Sequence, residues 1–199
     1  MPGTVIALVV IAIITTLVVF QNQTSSSSTN AFTVLTSYTT QSGEGPQEGM
    51  IAPDFTVRTL DGEEFSLSEF RGRKVVLWFM AVWCPSCAVV GPIIRDNQDQ
   101  DTVVIVVDMW TEPILKDLGL LNKPGAPPPE TGKDLTRFID SYGSDSWLLV
   151  LDNYGLTKLY QLRYVDTTFV IGSDGRIILR SDGPVSSTLL RYALQKAAS

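Results

Sequence analysis

The chain has 199 residues, a formal charge of −6, two cysteines and no histidine. Without histidine, a Ser/His/Asp or Cys/His catalytic site is excluded and a zinc site loses its commonest partner. The acidic balance argues against nucleic acid as a partner.

No Asp, Glu, Lys or Arg occurs between Met1 and Gly43. Inside that stretch, "TVIALVVIAIITTLVVF" (4–20) is an unbroken apolar run. As a helix it would span about 25 Å, near the lower limit for crossing a bilayer. No basic residue precedes the run and "QNQTSSSS" follows it, so the marks of a cleaved signal peptide are missing. Residues 1–21 are therefore expected to be an uncleaved transmembrane anchor, ahead of a cleaved leader or a buried core helix. Residues 22–49 are rich in Ser, Thr and Gln, with too little apolar surface to fold alone, and read as a flexible tether. A short uncharged N-terminus suits a folded domain, residues 50–199, on the extracytoplasmic side.

Within that domain, "DFTVRTLDGEEFSL" predicts a hairpin about Asp61-Gly62. "RKVVLWFMAV" (73–82) is continuously apolar and suits a central strand buried on both faces. "PSCAVVGPIIRDNQ" follows with helical spacing and a kink expected at Pro92. "TVVIVVDM" (102–109) predicts a second buried strand, and the Pro-rich 123–132 a loop, more readily a solvent-exposed insertion than a partner surface. An amphipathic helix over 133–143 ends at a glycine, followed by a strand over 147–152 and a short helix in "NYGLTKLYQL". "TTFVIGSDGRIILRSDG" (167–183) reads as a hairpin turning at Asp174-Gly175, and 184–198 as a closing helix with Pro184 at its start. Strands alternating with helices indicate an α/β fold, one sheet with helices on both faces.

Both cysteines fall in "WCPSC", at the junction of the first buried strand and the helix after it. Free N–H groups and the dipole of a helix start favour a thiolate at Cys84, and the thiolate is the form that attacks disulfides. Cys87, one turn on, is placed to resolve a mixed disulfide by closing an intramolecular bond. Pro85 and Ser86 fit the first helical turn, and Trp83 offers an apolar surface beside the sulfur. A bare C-x-x-C is also compatible with half a zinc site, two core thiols or an inert disulfide. The strand–Trp-Cys-x-x-Cys–helix context favours redox chemistry.

"APDFTVRTLDGEEFSLSEFRGRKVVLWFMAVWCPSC", with "VVIVVDM", "FIDSYG" and "DTTFVIGSDGRIILRSDG", resembles membrane-anchored thioredoxin-like proteins of the TlpA/ResA type, in the wider redoxin group. The resemblance covers nearly all of 50–198. It implies a thioredoxin fold, a central mixed sheet flanked by helices, with an N-terminal hairpin and an extra strand–helix insertion before the final hairpin. It also implies that Cys84 is the exposed nucleophile and Cys87 the resolving thiol.

Two departures from the family stand out. A cis-proline usually precedes the "TTF" strand; Asp166 stands there, beside Thr167. A trans peptide and an altered substrate groove are expected, since a cis bond at a non-proline residue costs about 3 kcal/mol. Asp166 either lies near Cys84 or turns outward as a loop residue. Thioredoxins also bury an Asp in the strand before the motif, where this chain has Trp78. Asp108, at the end of the next strand, is a candidate replacement proton relay or an ordinary strand-end residue.

The expected activity is thiol–disulfide exchange with extracytoplasmic protein partners, needing neither a cofactor nor a metal. Catalysis would fall to Cys84 and Cys87, with Trp83, Pro85, Ser86, Asp166 and Thr167 forming the motif and groove. Protein thiols and disulfides are the expected partners, with a membrane electron-transfer protein among the candidates, and the chain is expected to be a monomer. The alternatives are a thiol peroxidase of the redoxin group, although "FMAVWC" lacks the Pro and Thr that precede a peroxidatic Cys, and a non-catalytic binding module on the same fold.

Overall fold

A computed structural model describes residues 43–198. The expected anchor and most of the tether lie outside the described residues, and among those described no helix is long and apolar enough to cross a membrane.

The described part begins with bonds to the far end of the fold. Gly49 N donates to Ile177 O (2.8 Å), and Arg180 N donates to Glu48 Oε1 (3.0 Å). Packing against the sheet thus starts several residues ahead of Met50. The expected hairpin follows: β1 (Thr56–Arg58) pairs antiparallel with β2 (Glu64–Ser66). Gly62, at φ 95°, turns the chain between them in a conformation that favours glycine. Val57 and Phe65 point inward from the hairpin.

The main sheet has five strands in the order β5-β4-β3-β6-β7: β3 (Lys74–Met80), β4 (Thr102–Asp108), β5 (Leu148–Leu151), β6 (Thr167–Ile171) and β7 (Ile177–Asp182). β3, β4 and β5 run parallel, while β6 and β7 are antiparallel to their neighbours. Every residue of β3 and β4 is buried, which is why these strands read as continuous apolar runs.

Side chains alternate across the sheet. Val76, Trp78 and Met80 face a layer containing α1 (Cys87–Asn97), α3 (Gly132–Tyr142) and α5 (Ser187–Lys196), through Val90, Ile94, Leu135, Phe138, Leu190 and Leu194. Val75, Leu77 and Phe79 face the hairpin and the single turn of α4 (Leu156–Leu159), with Tyr160. The Tyr160 hydroxyl donates to Pro53 O (2.7 Å), so the buried phenol keeps a partner. β5 and α4 supply the strand and helix expected ahead of the closing hairpin.

Three details depart from the sequence reading. α1 begins at Cys87, because Pro85 and Ser86 form a turn closed by Cys87 N donating to Cys84 O (3.2 Å). α5 begins at Ser187, because Ser186 caps it by accepting Leu189 N (3.2 Å), which leaves Pro184 outside the helix. A further helix, α2 (Glu112–Asp117), is too short to show a period in sequence. Pro92 lies inside α1, which continues through it to Asn97.

Candidate active site

β3 delivers the chain to the motif. After Met80 a turn brings Cys84 N to Ala81 O (3.1 Å), and a second turn leads into α1. Trp83 is 41% exposed and meets Trp110 edge-on, with ring centroids 4.8 Å apart. Cys84 is more covered than an exposed nucleophile should be, at 7%, while Cys87 is fully buried. Cys84 keeps a little accessible surface and Cys87 none. Both thiols are free, and the Ser86 hydroxyl lies 3.1 Å from Cys84 Sγ. Burial pushes the Cys87 thiol up strongly, and the nearby Asp166 charge adds to the shift.

A groove of about 300 Å³ runs alongside Cys84, lined by Trp83, Pro85, Ala88, Arg137, Phe138 and Tyr142. α1 and α3 form its walls and approach closely at Gly91, where a Cβ would sit 2.9 Å from Tyr142 O.

Asp166 is fully buried, so the outward-turning alternative is overturned and the residue does not border the groove. Its peptide is trans, as expected for a non-proline residue, and its φ of 68° is left-handed. That conformation aims the side chain inward while its carbonyl accepts Gly183 N (3.0 Å). The carbonyl is therefore engaged within the protein. Oδ1 accepts the Trp78 indole N–H (3.0 Å), and Oδ2 has no hydrogen-bond partner among the described residues. Burial raises the Asp166 carboxyl; the Ser86 hydroxyl and the Trp78 N–H oppose this. One carboxylate oxygen and the two sulfurs all lie within 4.8 Å of one another. Thr167 is buried in β6 and donates its hydroxyl to Tyr164 O (2.9 Å), so it does not line the groove beside Cys84.

Asp108 is buried at the end of β4, where its Oδ1 accepts Trp110 N (2.8 Å). It does not belong to the group of Asp166 and the two sulfurs. Its electrostatic partner is Glu130, a residue that sequence reasoning missed. Burial raises both carboxyls, and Glu130 adds to the rise at Asp108. Glu130 accepts Val82 N at Oε2 (2.7 Å) and Trp83 N at Oε1 (2.9 Å), so one carboxylate holds the two residues before Cys84. The loop carrying it is docked, not free. Glu130 N donates to Trp110 O (2.8 Å), and Trp110 Nε1 to Pro127 O (3.1 Å). Proline composition marked the loop, but no local signal marks a glutamate that reaches back into the site.

A C-x-x-C pair at the strand-to-helix turn of this mixed sheet defines a thioredoxin-like thiol–disulfide oxidoreductase. The sequence profile of the AhpC/TSA family matches residues 49–180, and the chain belongs to that family. It is 29% identical over 135 residues to the thioredoxin-like protein YneN of Bacillus subtilis, covering 67% of this chain and 70% of that one. It is 25% identical over 170 residues to the thiol-disulfide oxidoreductase ResA of Bacillus thuringiensis, covering 83% and 86%. A solved thioredoxin-like protein from Aeropyrum pernix superposes with a TM-score of 0.66 at 34% identity, over 72% of this chain and 89% of that one. A Chlorobium tepidum structure, described as a putative thiol:disulfide interchange protein DsbE, shares the fold at 21% identity and a TM-score of 0.59, over 77% and 99%.

Proposed function

We propose that Cys84 and Cys87 exchange disulfides with extracytoplasmic protein partners and that Asp166 moves the proton their exchange requires. The carrying observation is the group of two sulfurs and one carboxylate oxygen within 4.8 Å, with Cys84 the more accessible sulfur. Cys84 thiolate attacks a partner disulfide, forming a Cys84–partner bond and releasing the partner's other sulfur as a thiolate. Cys87 gives its proton to Asp166, and its thiolate attacks Cys84 Sγ. The partner's remaining sulfur leaves and takes up that proton. The partner disulfide is reduced and the Cys84–Cys87 bond formed; the reverse sequence oxidises a partner. A buried base has a task here because burial disfavours the Cys87 thiolate.

The Trp83, Phe138 and Tyr142 groove beside Cys84 suits an apolar segment of a partner chain. An anchor at 1–21 and a tether ending ahead of the packed residues around 46–49 would hold the domain near a membrane, on a side where disulfides persist. The Cys87→Ser chain, expressed full length, should accumulate reductant-sensitive mixed disulfides through Cys84, and Cys84→Ser should accumulate none. Absence of trapped partners, together with no reversible Cys84–Cys87 bond, sinks the reading. The reduction potential of the pair then sets direction. A value near about −270 mV marks a reductant and one near about −120 mV an oxidant.

A further inference from the structure

Three acidic side chains are completely buried among the described residues: Asp108, Asp152 and Asp166. Asp152 is fully used, accepting Leu156 N at Oδ1 (2.8 Å) and Thr157 N at Oδ2 (2.7 Å). Asp108 faces Glu130. Asp166 alone sits against sulfur, with one oxygen held by Trp78, no formed hydrogen bond at the other, and the Ser86 hydroxyl near enough to favour its charged form. A buried polar atom without a partner is costly unless something else satisfies it.

We propose that, with the thiols reduced, Cys84, Cys87 and Asp166 form a binding site for a thiophilic divalent cation of the zinc and cadmium class. Two thiolates and a carboxylate are ligands that such ions accept. Tetrahedral zinc, with Zn–S of about 2.3 Å and Zn–O of about 2.0–2.2 Å, sets its donor atoms roughly 3.5–3.8 Å apart. Donors already within 4.8 Å of one another need little movement to close on the ion. The Ser86 hydroxyl, beside Cys84 Sγ, or a water would complete the shell. The Trp78 N–H bond fixes the carboxylate, the outer support that metal ligands ordinarily carry. The missing histidine and the lack of a second cysteine pair do not exclude this site, because its third ligand comes from the loop before β6.

Binding is a proton exchange without electron transfer. Each thiol loses its proton and bonds the cation, so one cation displaces two protons, and a third if Asp166 is protonated. A disulfide leaves no thiolate to coordinate. Oxidation of the pair and occupation by the cation therefore exclude each other, and the bound ion keeps both sulfurs from exchange. The site does not depend on exchange activity, since two inert thiols in this place would bind equally. Metal titration and partner trapping can fail separately.

The test uses the full-length chain, reduced and kept without oxygen. Cd²⁺ titration should give thiolate-to-metal charge-transfer absorption saturating at one ion per chain, and the oxidised chain should give none. Zn²⁺ affinity, read by competition with a chromophoric chelator, should fall at least about tenfold in Asp166→Asn, because even outer-shell losses cost 10–100-fold. X-ray absorption on the zinc-loaded wild type should show two sulfur and at least one oxygen neighbour, a reading that does not depend on any variant folding. No stoichiometric binding, an affinity unchanged in folded Asp166→Asn, or an all-sulfur shell shared between chains overturns the proposal.

Discussion

The indole N–H of Trp78 donates to Asp166 Oδ1 across 3.0 Å, between a central strand and the loop before β6. These two residues are the chain's two departures from the family pattern, and they are one feature. An indole stands on β3 where thioredoxins bury a carboxylate, and a carboxylate stands where the family has its cis-proline. The acid remains beside the sulfurs but approaches them from the neighbouring strand. β3 and β6 pair with Trp78 opposite Thr168, and the left-handed Asp166 just ahead of β6 brings its carboxylate to that same indole. Packing of Trp78 against Trp147 and Phe138 holds the indole in place.

If Asp166 takes the Cys87 proton, its loss should slow closure of the intramolecular disulfide more than attack on a partner. Asp166→Asn should reduce closure by roughly 10²–10⁴-fold, the usual span for a positioned base. Trp78→Phe removes a donor that favours the charged carboxylate, so the Asp166 pKa rises further and the closure profile moves to higher pH. Stopped-flow closure rates against pH read both effects. An unmoved profile in Trp78→Phe refutes the coupling.

Glu130 anchors the approach to Cys84 through the Val82 and Trp83 amides. Glu130→Ala leaves both donors without their carboxylate, at about 1–3 kcal/mol of stability. Glu130→Gln keeps one acceptor oxygen and should lie between. Hydrogen exchange is the discriminating measurement. The Val82 and Trp83 amides should lose protection ahead of the β3 amides, and unchanged protection at those two positions would show that the loop does not hold the turn.

Much of this fold is legible in sequence because its signals are local. The apolar runs become β3 and β4, Asp61-Gly62 and Asp174-Gly175 become turns, and "WCPSC" lies between strand and helix. The candidate site is legible only in its sulfurs. The direction of Asp166 follows from pairing of strands far apart in sequence and from a left-handed φ that no neighbouring residue dictates. Glu130 is hidden for a similar reason. Its Pro-rich loop reads as solvent-exposed, while the bonds to Trp110 that dock it are long-range. Asp108 shows that position alone misleads: it ends a strand beside the motif, yet it pairs with Glu130 and stands apart from the group around the sulfurs.

The contact between α1 and α3 should tolerate no added carbon. At Gly91 a Cβ would meet Tyr142 O at 2.9 Å and Tyr142 Cβ at 3.1 Å. Gly91→Ala must push the helices apart, and overpacking of this kind costs about 1–3 kcal/mol despite alanine's better helix propensity. Urea denaturation should show the loss. A more stable Gly91→Ala would mean that the helices separate freely, and that the groove beside Cys84 has walls that move.

Asp108 makes stability depend on pH in a direction opposite to that of an ordinary salt-bridged carboxylate. Burial first, then the Glu130 charge, raises its folded-state value above that of the unfolded chain. The folded protein therefore binds this proton more tightly. The stability it contributes is complete below the unfolded carboxylate value and is lost as pH rises through the folded one. Asp99 and Asp134, lowered by Lys74 and Thr131 respectively, act the other way and lose their contribution as pH falls. A stability maximum on the mildly acidic side follows. Asp108→Asn keeps an acceptor for Trp110 N, turns an amide donor toward Glu130 and removes the charge. It should gain on the wild type by on the order of 1–3 kcal/mol or more as pH rises from about 4 to about 9. Denaturant midpoints of both chains at the two pH values decide it. Parallel midpoints would mean that Asp108 carries its charge in the folded protein, with Glu130 left to bind the proton.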